Sequence, residues 1–441
     1  MAREPVRVAV LVERDTPVAE GILRGIWRSV GPLRAWALRV EGPSVERMDL
    51  VRAWRPAGVI GQLNSMAVAD AVTALGVPCV NVGNKLETPG VASVVFDDRA
   101  VGRMAARHFL EKGFERFAFL GSVRRARGRD RLAGFREELG LRGYAAATLG
   151  AEHAAKLEAR ANIWSNPDEA VVKFLEGLEK PVAVLNDNDR LARVHSEVCR
   201  LRGIAVPEEV AMLGVSDDEL ECGLADPPLS SIRLPSEEVG RRAVGVLAGL
   251  MGKGELAAEA EPGGGDPRAL GSGAGEGVVV GGAGYRLAPL GVVERASTDV
   301  VAVGDAGVAA ALRVIRENAH RPVNVETVLR AVWEGTGVIG AVRVSRRGLE
   351  QKFKRVLGRT PLQEIHRVRI VRACELLSGT AMPIAEVALA CGFAEAPRLS
   401  ERFKAVMGVT PAAWRKQSVA GGGAGGTVGL SMVRYGEGRN E

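Results

Sequence analysis

The sequence predicts two units. An α/β doubly wound body in two lobes spans about residues 1–300. An all-α domain over 301–418 and a tail over 419–441 follow it. Three observations lead to this reading. Apolar runs of strand length alternate with amphipathic segments through the first three hundred residues, the pattern of parallel sheets covered by helices. The roughly ten such runs are too many for one compact open sheet, so they divide between two lobes. Beyond Gly307 the alternation stops and only helical periodicity remains.

Residues 6–12 (VRVAVLV) open the body as a continuous apolar run, as strands buried on both faces do. A helix follows with Ile22, Ile26, Trp27 and Val30 on one face. Strands are expected at 57–61, 78–82, 117–121, 181–185 and 210–215. Helices are expected between them, among them 101–110, 132–139 and 191–201. Ligands of such sheets sit at the carboxyl ends of the strands. From Gly252 to Gly284 the chain turns Gly-rich, too poor in apolar surface to order itself, and reads as a surface loop inserted in the body. A strand over 285–293 returns to the sheet, and 420–426 is a second Gly-rich stretch.

The helical domain is expected to run through segments 309–319, 325–332, 345–357, 361–377, 383–390 and 396–407, with a short helix from Pro411. Ser345 is the expected N-cap of the third, and Gly358 and Gly408 are stops. The order fits two helix–turn–helix pairs joined by a long helix. In such a pair the second helix enters the DNA major groove.

Hydrophobic residues make up 46% of the 441, enough for a sizeable core. No apolar run reaches the ~18 residues of a transmembrane helix, and the start lacks the apolar core of a signal peptide. Five scattered cysteines (Cys79, Cys199, Cys222, Cys374, Cys391), none in a CxxC, argue against a disulfide scaffold or zinc ribbon and for a reducing cytoplasm. The net charge of +6 is uneven: residues 312–418 hold 19 Lys/Arg against 9 Asp/Glu, and the remainder is net −4. Such a basic quarter is the footprint of phosphate binding or, equally, a solvated helical face. No Ser/His/Asp set, phosphate loop or paired-carboxylate spacing points to catalysis. His108 and His195 read as helix-face residues. Gly335-x-Gly337-x-x-Gly340 follows a helix and lacks the strand that a dinucleotide fingerprint needs.

The run from Ile384 to Phe393 (IAEVALACGF), then Arg402 to Pro411 (RFKAVMGVTP) with Trp414 and Arg415, resembles the second helix–turn–helix of AraC/XylS-type transcription regulators. Val344 to Phe353 and Leu357 to Pro361 resemble the first. The resemblance covers about a hundred residues and implies binding to double-stranded DNA. Ala388 and Gly392 provide the small residue and the free backbone that a tight turn needs. Phe393, Leu399, Phe403 and Val406 are spaced as core, Leu399 standing where the family usually has an aromatic. Arg398, Ser400, Glu401 and Lys404 can then face outward from the sixth helix. Arg346, Arg347, Gln351 and Lys352 can do so from the third. Arg pairs bidentately with guanine and Gln with adenine; which of these residues would read bases and which hold phosphates stays open. Residues 333–342 (WEGTGVIGAV) are an insert at the first turn. They are expected to bulge outward while the two helices keep their common core of Val328, Leu329, Leu349 and Phe353, the competing reading being that Val338, Ile339 and Val342 extend a helix and displace the reading helix.

In the body, Asp97, Gly102 and Ala105–His108, then Arg131–Phe135 (RLAGF), Asn188–Ala192 (NDRLA), Leu213–Asp218 (LGVSDD) and Asp226–Ile232 resemble the LacI/GalR-type, periplasmic-binding-protein-like sugar sensor. Joined to the C-terminal motifs, they resemble the xylose-responsive regulators. The family's usual N-terminal helix–turn–helix is not expected here, because the first strand begins at Val6. The resemblance implies that Arg131, Asp189 and either Asp217 or Asp218 contact sugar hydroxyls. A guanidinium supplies paired donors and a carboxylate accepts from two hydroxyls. The plainer alternatives are helix caps or turns for Asp97, Asp189 and Asp218, and a surface ion pair for Arg131. A sugar such as D-xylose as effector, a homodimer, contact with RNA polymerase, no cofactor, no metal and no membrane partner are implied likewise.

Overall fold

The computed structural model describes residues 5–30, 36–149, 169–252, 277–280, 284–299, 306–321, 323–335 and 345–420. Its first three hundred residues form two sheets. In the first, β1 (Val6–Leu11), β2 (Trp36–Glu41), β3 (Gly58–Gly61), β4 (Cys79–Asn81) and β5 (Ala92–Phe96) run parallel, and β12 (Gly284–Leu287) extends them. β11 (Gly277–Val280) closes that edge antiparallel. The second sheet places β6 (Phe117–Leu120) between β7 (Ala146–Thr148) and β8 (Val182–Asn186). It then continues through β9 (Val210–Val215) and β10 (Ser230–Arg233) to β13 (Gly291–Val293), the antiparallel edge.

The helices of the first lobe are α1 (Pro17–Val30), α2 (Met48–Trp54), α3 (Met66–Thr73) and α9 (Ser236–Leu250). Those of the second are α4 (Asp98–Glu111), α5 (Ala126–Gly140), α6 (Glu169–Gly177), α7 (Asp189–Leu201) and α8 (Glu219–Leu224). The chain crosses between lobes three times: after β5, after β10 and after β12. Residues 285–293 were expected to form one strand. They form parts of two, β12 in one sheet and β13 in the other, because Ala288–Leu290 is such a crossing. Within the Gly-rich segment expected to be a loop throughout, 277–280 is paired as β11. An edge strand needs only backbone partners, and three valines there favour extension. The rest of that segment, 253–276 and 281–283, lies outside the described residues.

Where α4 meets α5 the helices almost touch. A Cβ on Gly102 would stand 2.0 Å from the carbonyl oxygen of Arg131, and one on Gly134 would stand 2.0 Å from that of Arg99. Only glycine permits this approach, and it brings the start of α4 against α5 at the lobe boundary.

The C-terminal region is helical: α10 (Ala306–Asn318), α11 (Val325–Gly335), α12 (Arg346–Leu357), α13 (Pro361–Gly379), α14 (Ile384–Ala390), α15 (Ala396–Met407) and α16 (Pro411–Ala420). Ser345 caps α12 by accepting from the Gly348 amide, and Thr360 with Gln363 forms a capping box at α13. Gly358 and Gly408 end their helices in the left-handed region, as expected (φ 67° and 73°). Leu312, Ile315, Val328, Leu329, Leu349, Phe353 and Ile365 bury one core around the first half of α13. Ile370, Leu377, Val387, Phe393, Leu399 and Phe403 bury another around its second half. Of the insert at 333–342, the first three residues continue α11; the remainder lies outside the described residues.

Candidate functional site

The carboxyl ends of the strands in both sheets face one another across the lobe boundary, and the polar side chains of the body gather there. From the first lobe, Lys85 donates to Glu13 (3.0 Å), and the Glu13 amide donates to Gln62 Oε1 (3.0 Å). From the second, Arg127 donates to Asp187 Oδ2 through Nη2 (2.8 Å) and Nε (3.2 Å). Arg131 Nε donates to Asp98 Oδ1 (2.7 Å), and its Nη1 to the Asp187 carbonyl.

Contacts also span the lobes. Asn84 Nδ2 donates to Asp98 Oδ2 (2.7 Å). The amides of Ala126 and Arg127, in the first turn of α5, donate to the carbonyls of Lys85 and Asn84 (3.2 and 3.1 Å). The first turn of α5 has amides with no partner inside the helix, so the loop after β4 satisfies two of them.

These charges are out of water. Arg131 is 3% exposed, Asp98 2% and Asp187 0%. Burial pushes the Asp98 carboxyl above its ordinary value, against the pull of Arg131 and Asn84. At Asp187 burial acts the same way, but Arg127 and Arg131 outweigh it and hold the group below the usual carboxylate range. Asp187 Oδ1 and the Ser122 hydroxyl, both buried, have no hydrogen-bond partner in the protein. A wall of two guanidiniums, two buried carboxylates and two oxygens without a hydrogen-bond partner in the protein, Asp187 Oδ1 lying 3.6 Å from Arg131 Nη1, suits a ligand rich in vicinal hydroxyls.

The four residues expected at the ligand divide into two groups. Arg131 stands in the network just described. Asp189, Asp217 and Asp218 lie together at the ends of β8 and β9, without a direct bond to it. Asp189, also 0% exposed, accepts from Ser216 Oγ (2.9 Å), Ser231 Oγ (2.5 Å) and the Asp218 amide (2.8 Å), all in its own lobe. Burial raises its pKa to about 6 in spite of those donors. A ligand at Asp189 would have to displace one of the serines. Asp217 is held by Arg233 (2.6 and 2.8 Å) and Arg295 (2.8 Å), and Asp218 caps α8 through the amides of Leu220 and Glu221. Asp97 is the N-cap of α4.

Sequence reading missed Asp98, Arg127 and Asp187. The run Asn186-Asp187-Asn188-Asp189 holds the Asn-Asp pair in two registers, and only the fold shows that Asp187 meets the arginines while Asn188 caps α7. His195 is buried on α7, its Nδ1 2.6 Å from Asn186 Oδ1.

On the helical domain Arg346, Arg347 and Gln351 are exposed on α12, with Lys352 half-buried. On α15 Arg398, Glu401 and Lys404 are exposed and Ser400 half-buried; Arg402, not singled out before, is exposed beside them. Arg346 meets Glu326 (3.4 Å) and Glu350 (3.2 Å), and Arg398 lies 3.8 Å from Glu401. Exposed pairs of this kind are weak and easily exchanged for phosphate. Gly392 (φ 78°) turns between α14 and α15, and a Cβ there would stand 2.3 Å from the Ala319 carbonyl oxygen. Arg369 donates to the carbonyls of Ala319 (2.9 Å) and Arg321 (3.0 Å), and its guanidinium lies 5.6 Å from the Phe393 ring centre. It ties the first unit to the turn of the second.

Comparison with known proteins agrees with this division. Residues 106–262 match the family of periplasmic binding protein-like domains, and 339–417 match a helix-turn-helix domain family. The chain is 28% identical to the xylose operon regulatory protein of Escherichia coli (strain K12) over 411 residues, 91% of this chain and 93% of that one. It is 24% identical to that of Haemophilus influenzae over 423 residues, 94% and 99% of the two chains. A solved structure of a xylose-binding transcription activator shares the fold with a TM-score of 0.69 at 23% identity, covering 95% of this chain and 99% of that one. The chain therefore joins a periplasmic binding protein-like domain to a C-terminal helix-turn-helix domain and is similar over nine tenths of its length to xylose operon regulatory proteins.

Proposed function

We propose that this regulator responds to a pentose, D-xylose first among them, bound between the lobes. The observation that carries the reading is the set of buried Asp98, Arg131 and Asp187 with half-buried Arg127, in which Asp187 Oδ1 and the Ser122 hydroxyl have no hydrogen-bond partner in the protein. The likeness along almost the whole chain to xylose operon regulators supports the choice of sugar. Arg131 contacts the sugar directly. Asp189, Asp217 and Asp218 shape the second-lobe side of the cleft.

The sugar acts by population shift: it favours the closed arrangement of lobes, and closure changes how a homodimer presents its two DNA-binding domains. Arg346, Arg347, Gln351 and Lys352 from α12 meet one major-groove segment. Arg398, Ser400, Glu401 and Lys404 from α15 meet the next, about 34 Å along the same DNA face. The regulator works in the cytoplasm and contacts RNA polymerase. No described helix is long and apolar enough to cross a membrane.

A thermal-shift panel of monosaccharides tests the effector, since a ligand of the native state alone raises the melting temperature. D-xylose should raise it, and calorimetry should show Arg131→Ala weakening the sugar. A panel in which no monosaccharide shifts the melting point removes the sugar reading and leaves DNA binding untouched.

A further inference from the structure

A set of ion pairs and hydrogen bonds joins the second lobe to the helical domain. Asp299 ends a short turn of 3₁₀ helix, residues 296–298, at the base of the second lobe. Its carboxylate takes both Nη groups of Arg367, on the helix α13 that joins the two helix–turn–helix units (2.9 and 2.5 Å). Arg367 also donates to Glu364 (3.0 and 2.7 Å), which is fully buried and further held by Arg359. On α10, Arg316 donates to the Asp299 carbonyl and to the buried Glu208 of the second lobe (2.9 Å). Asp299, Arg316 and Glu208 also line a cavity of about 700 Å³ between the domains.

The turn that carries Asp299 is fastened to Met212 within β9, to Ser230 at the start of β10 and, through Arg295, to Asp217 just past the carboxyl end of β9. Ser231 donates to Asp189 (2.5 Å) and accepts from the Asp217 amide (2.9 Å). Asp217 holds Arg295 (2.8 Å), four residues before Asp299. The neighbouring Ser230 accepts from the Arg295 amide (2.8 Å) and from the Thr298 hydroxyl (2.7 Å). Ser297 donates to the Met212 carbonyl on β9 (2.6 Å) and accepts from the Ser230 amide (2.8 Å). Ser297 and Thr298 are fully buried. A shift of β9 and β10 with Asp217 therefore moves residues 295–299 as one piece, and bidentate geometry passes the displacement to Arg367.

We propose that Asp299 and Arg367 form the clamp by which the state of the ligand cleft reaches both helix–turn–helix units. Arg367 is a positioning residue: it touches neither sugar nor DNA. Its clamp on the middle of α13 sets how both units stand relative to the second lobe. The proposal rests on the reading of the chain as sugar-responsive, and its test keeps the two separable.

The full chain is compared with Asp299→Asn, Arg367→Lys and Thr298→Val, using D-xylose and a DNA duplex selected in vitro on the wild type. The first readout is the ratio of duplex affinities with and without saturating xylose, for which allosteric couplings typically amount to about 5–150-fold. Asp299→Asn should keep xylose affinity and sugar-free duplex affinity near wild type while that ratio falls toward one. Thr298→Val, which loses the hydroxyl contacts to Ser230 (2.7 Å) and His108 Nε2 (3.0 Å) but no charge, should fall part of the way. Asp299→Asn and Arg367→Lys together should do no more than either alone. A wild-type ratio in Asp299→Asn overturns the proposal. The second readout is ligand-free calorimetric unfolding, in which the clamp variants should separate the domain transitions relative to wild type. If wild type ignores xylose, the sugar reading fails by itself. An unchanged unfolding profile in Asp299→Asn and Thr298→Val then overturns the clamp.

Discussion

Replacing Arg131 with alanine would strip a guanidinium from between two buried carboxylates. Asp98 would keep only Asn84 as a side-chain donor among the contacts described above, while Asp187 would keep Arg127. Asp98 is 2% exposed, and burial already lifts its pKa with Arg131 in place. Breaking a buried pair in this way costs about 3–5 kcal/mol, because it leaves an uncompensated charge. That is a large share of the ~5–15 kcal/mol that stabilises a typical domain. The loss should depend on pH. Without Arg131 the folded pKa of Asp98 rises further above its unfolded value. Its contribution is then most favourable at low pH and is lost as pH rises through the folded pKa. Urea unfolding followed by Trp fluorescence should show the full deficit at pH 8 and a smaller one at pH 5. Asp98→Asn on the Arg131→Ala background should recover part of the pH 8 deficit. A variant within about 1 kcal/mol of wild type at both pH values would refute the reasoning.

Further outcomes follow from other parts of the molecule. Gly102→Ala must push α4 from α5, since its Cβ would meet a carbonyl at 2.0 Å; a loss of at least about 1–3 kcal/mol is expected in thermal unfolding, with weaker sugar binding. His195 is buried and its pKa falls from 6.5 to about 4, so its stabilising contribution holds above pH 6.5 and is lost as pH drops toward 4. At about 1.36 kcal/mol per unit this amounts to roughly 3 kcal/mol, and His195→Gln should flatten the urea midpoint between pH 4.5 and 7 relative to wild type. Arg398→Ala should leave stability unchanged, because its only described ion pair is exposed, yet weaken a selected duplex about 5–150-fold in mobility-shift titrations if it reads a base. Wild-type affinity would remove it from the interface. Arg369→Ala should uncap the end of α10 and lower DNA affinity without changing xylose affinity; equal losses of both would mean global unfolding instead.

The alternation of short apolar runs with amphipathic segments was enough to show two sheets and a helical domain, because burial on both faces of a strand and on one face of a helix leaves different periods in the chain. Caps and stops at Ser345, Gly358 and Gly408 were legible for the same reason: they depend on neighbours a few residues away. The helix–turn–helix motifs were legible because their turn, core spacers and outward positions all lie within one stretch of chain. Strands β2, β7 and β10 were missed, being short or interrupted by charge, so that only pairing with distant strands defines them, whereas β5 was missed although its run ASVVF is uncharged and of ordinary strand length. The edge strand β11 and the crossing at Ala288–Leu290 likewise depend on partners elsewhere. The ligand cleft divides in the same way. Arg131 could be singled out from its motif, but its partners Asp98 and Asp187 lie 33 and 56 residues away in sequence. Asp189 and Asp187 share one local pattern, and only the approach of α5 decides which of them meets the arginines. The clamp between Asp299 and Arg367, 68 residues apart, left no local trace, because a long-range ion pair is set by tertiary packing and not by the period of either segment.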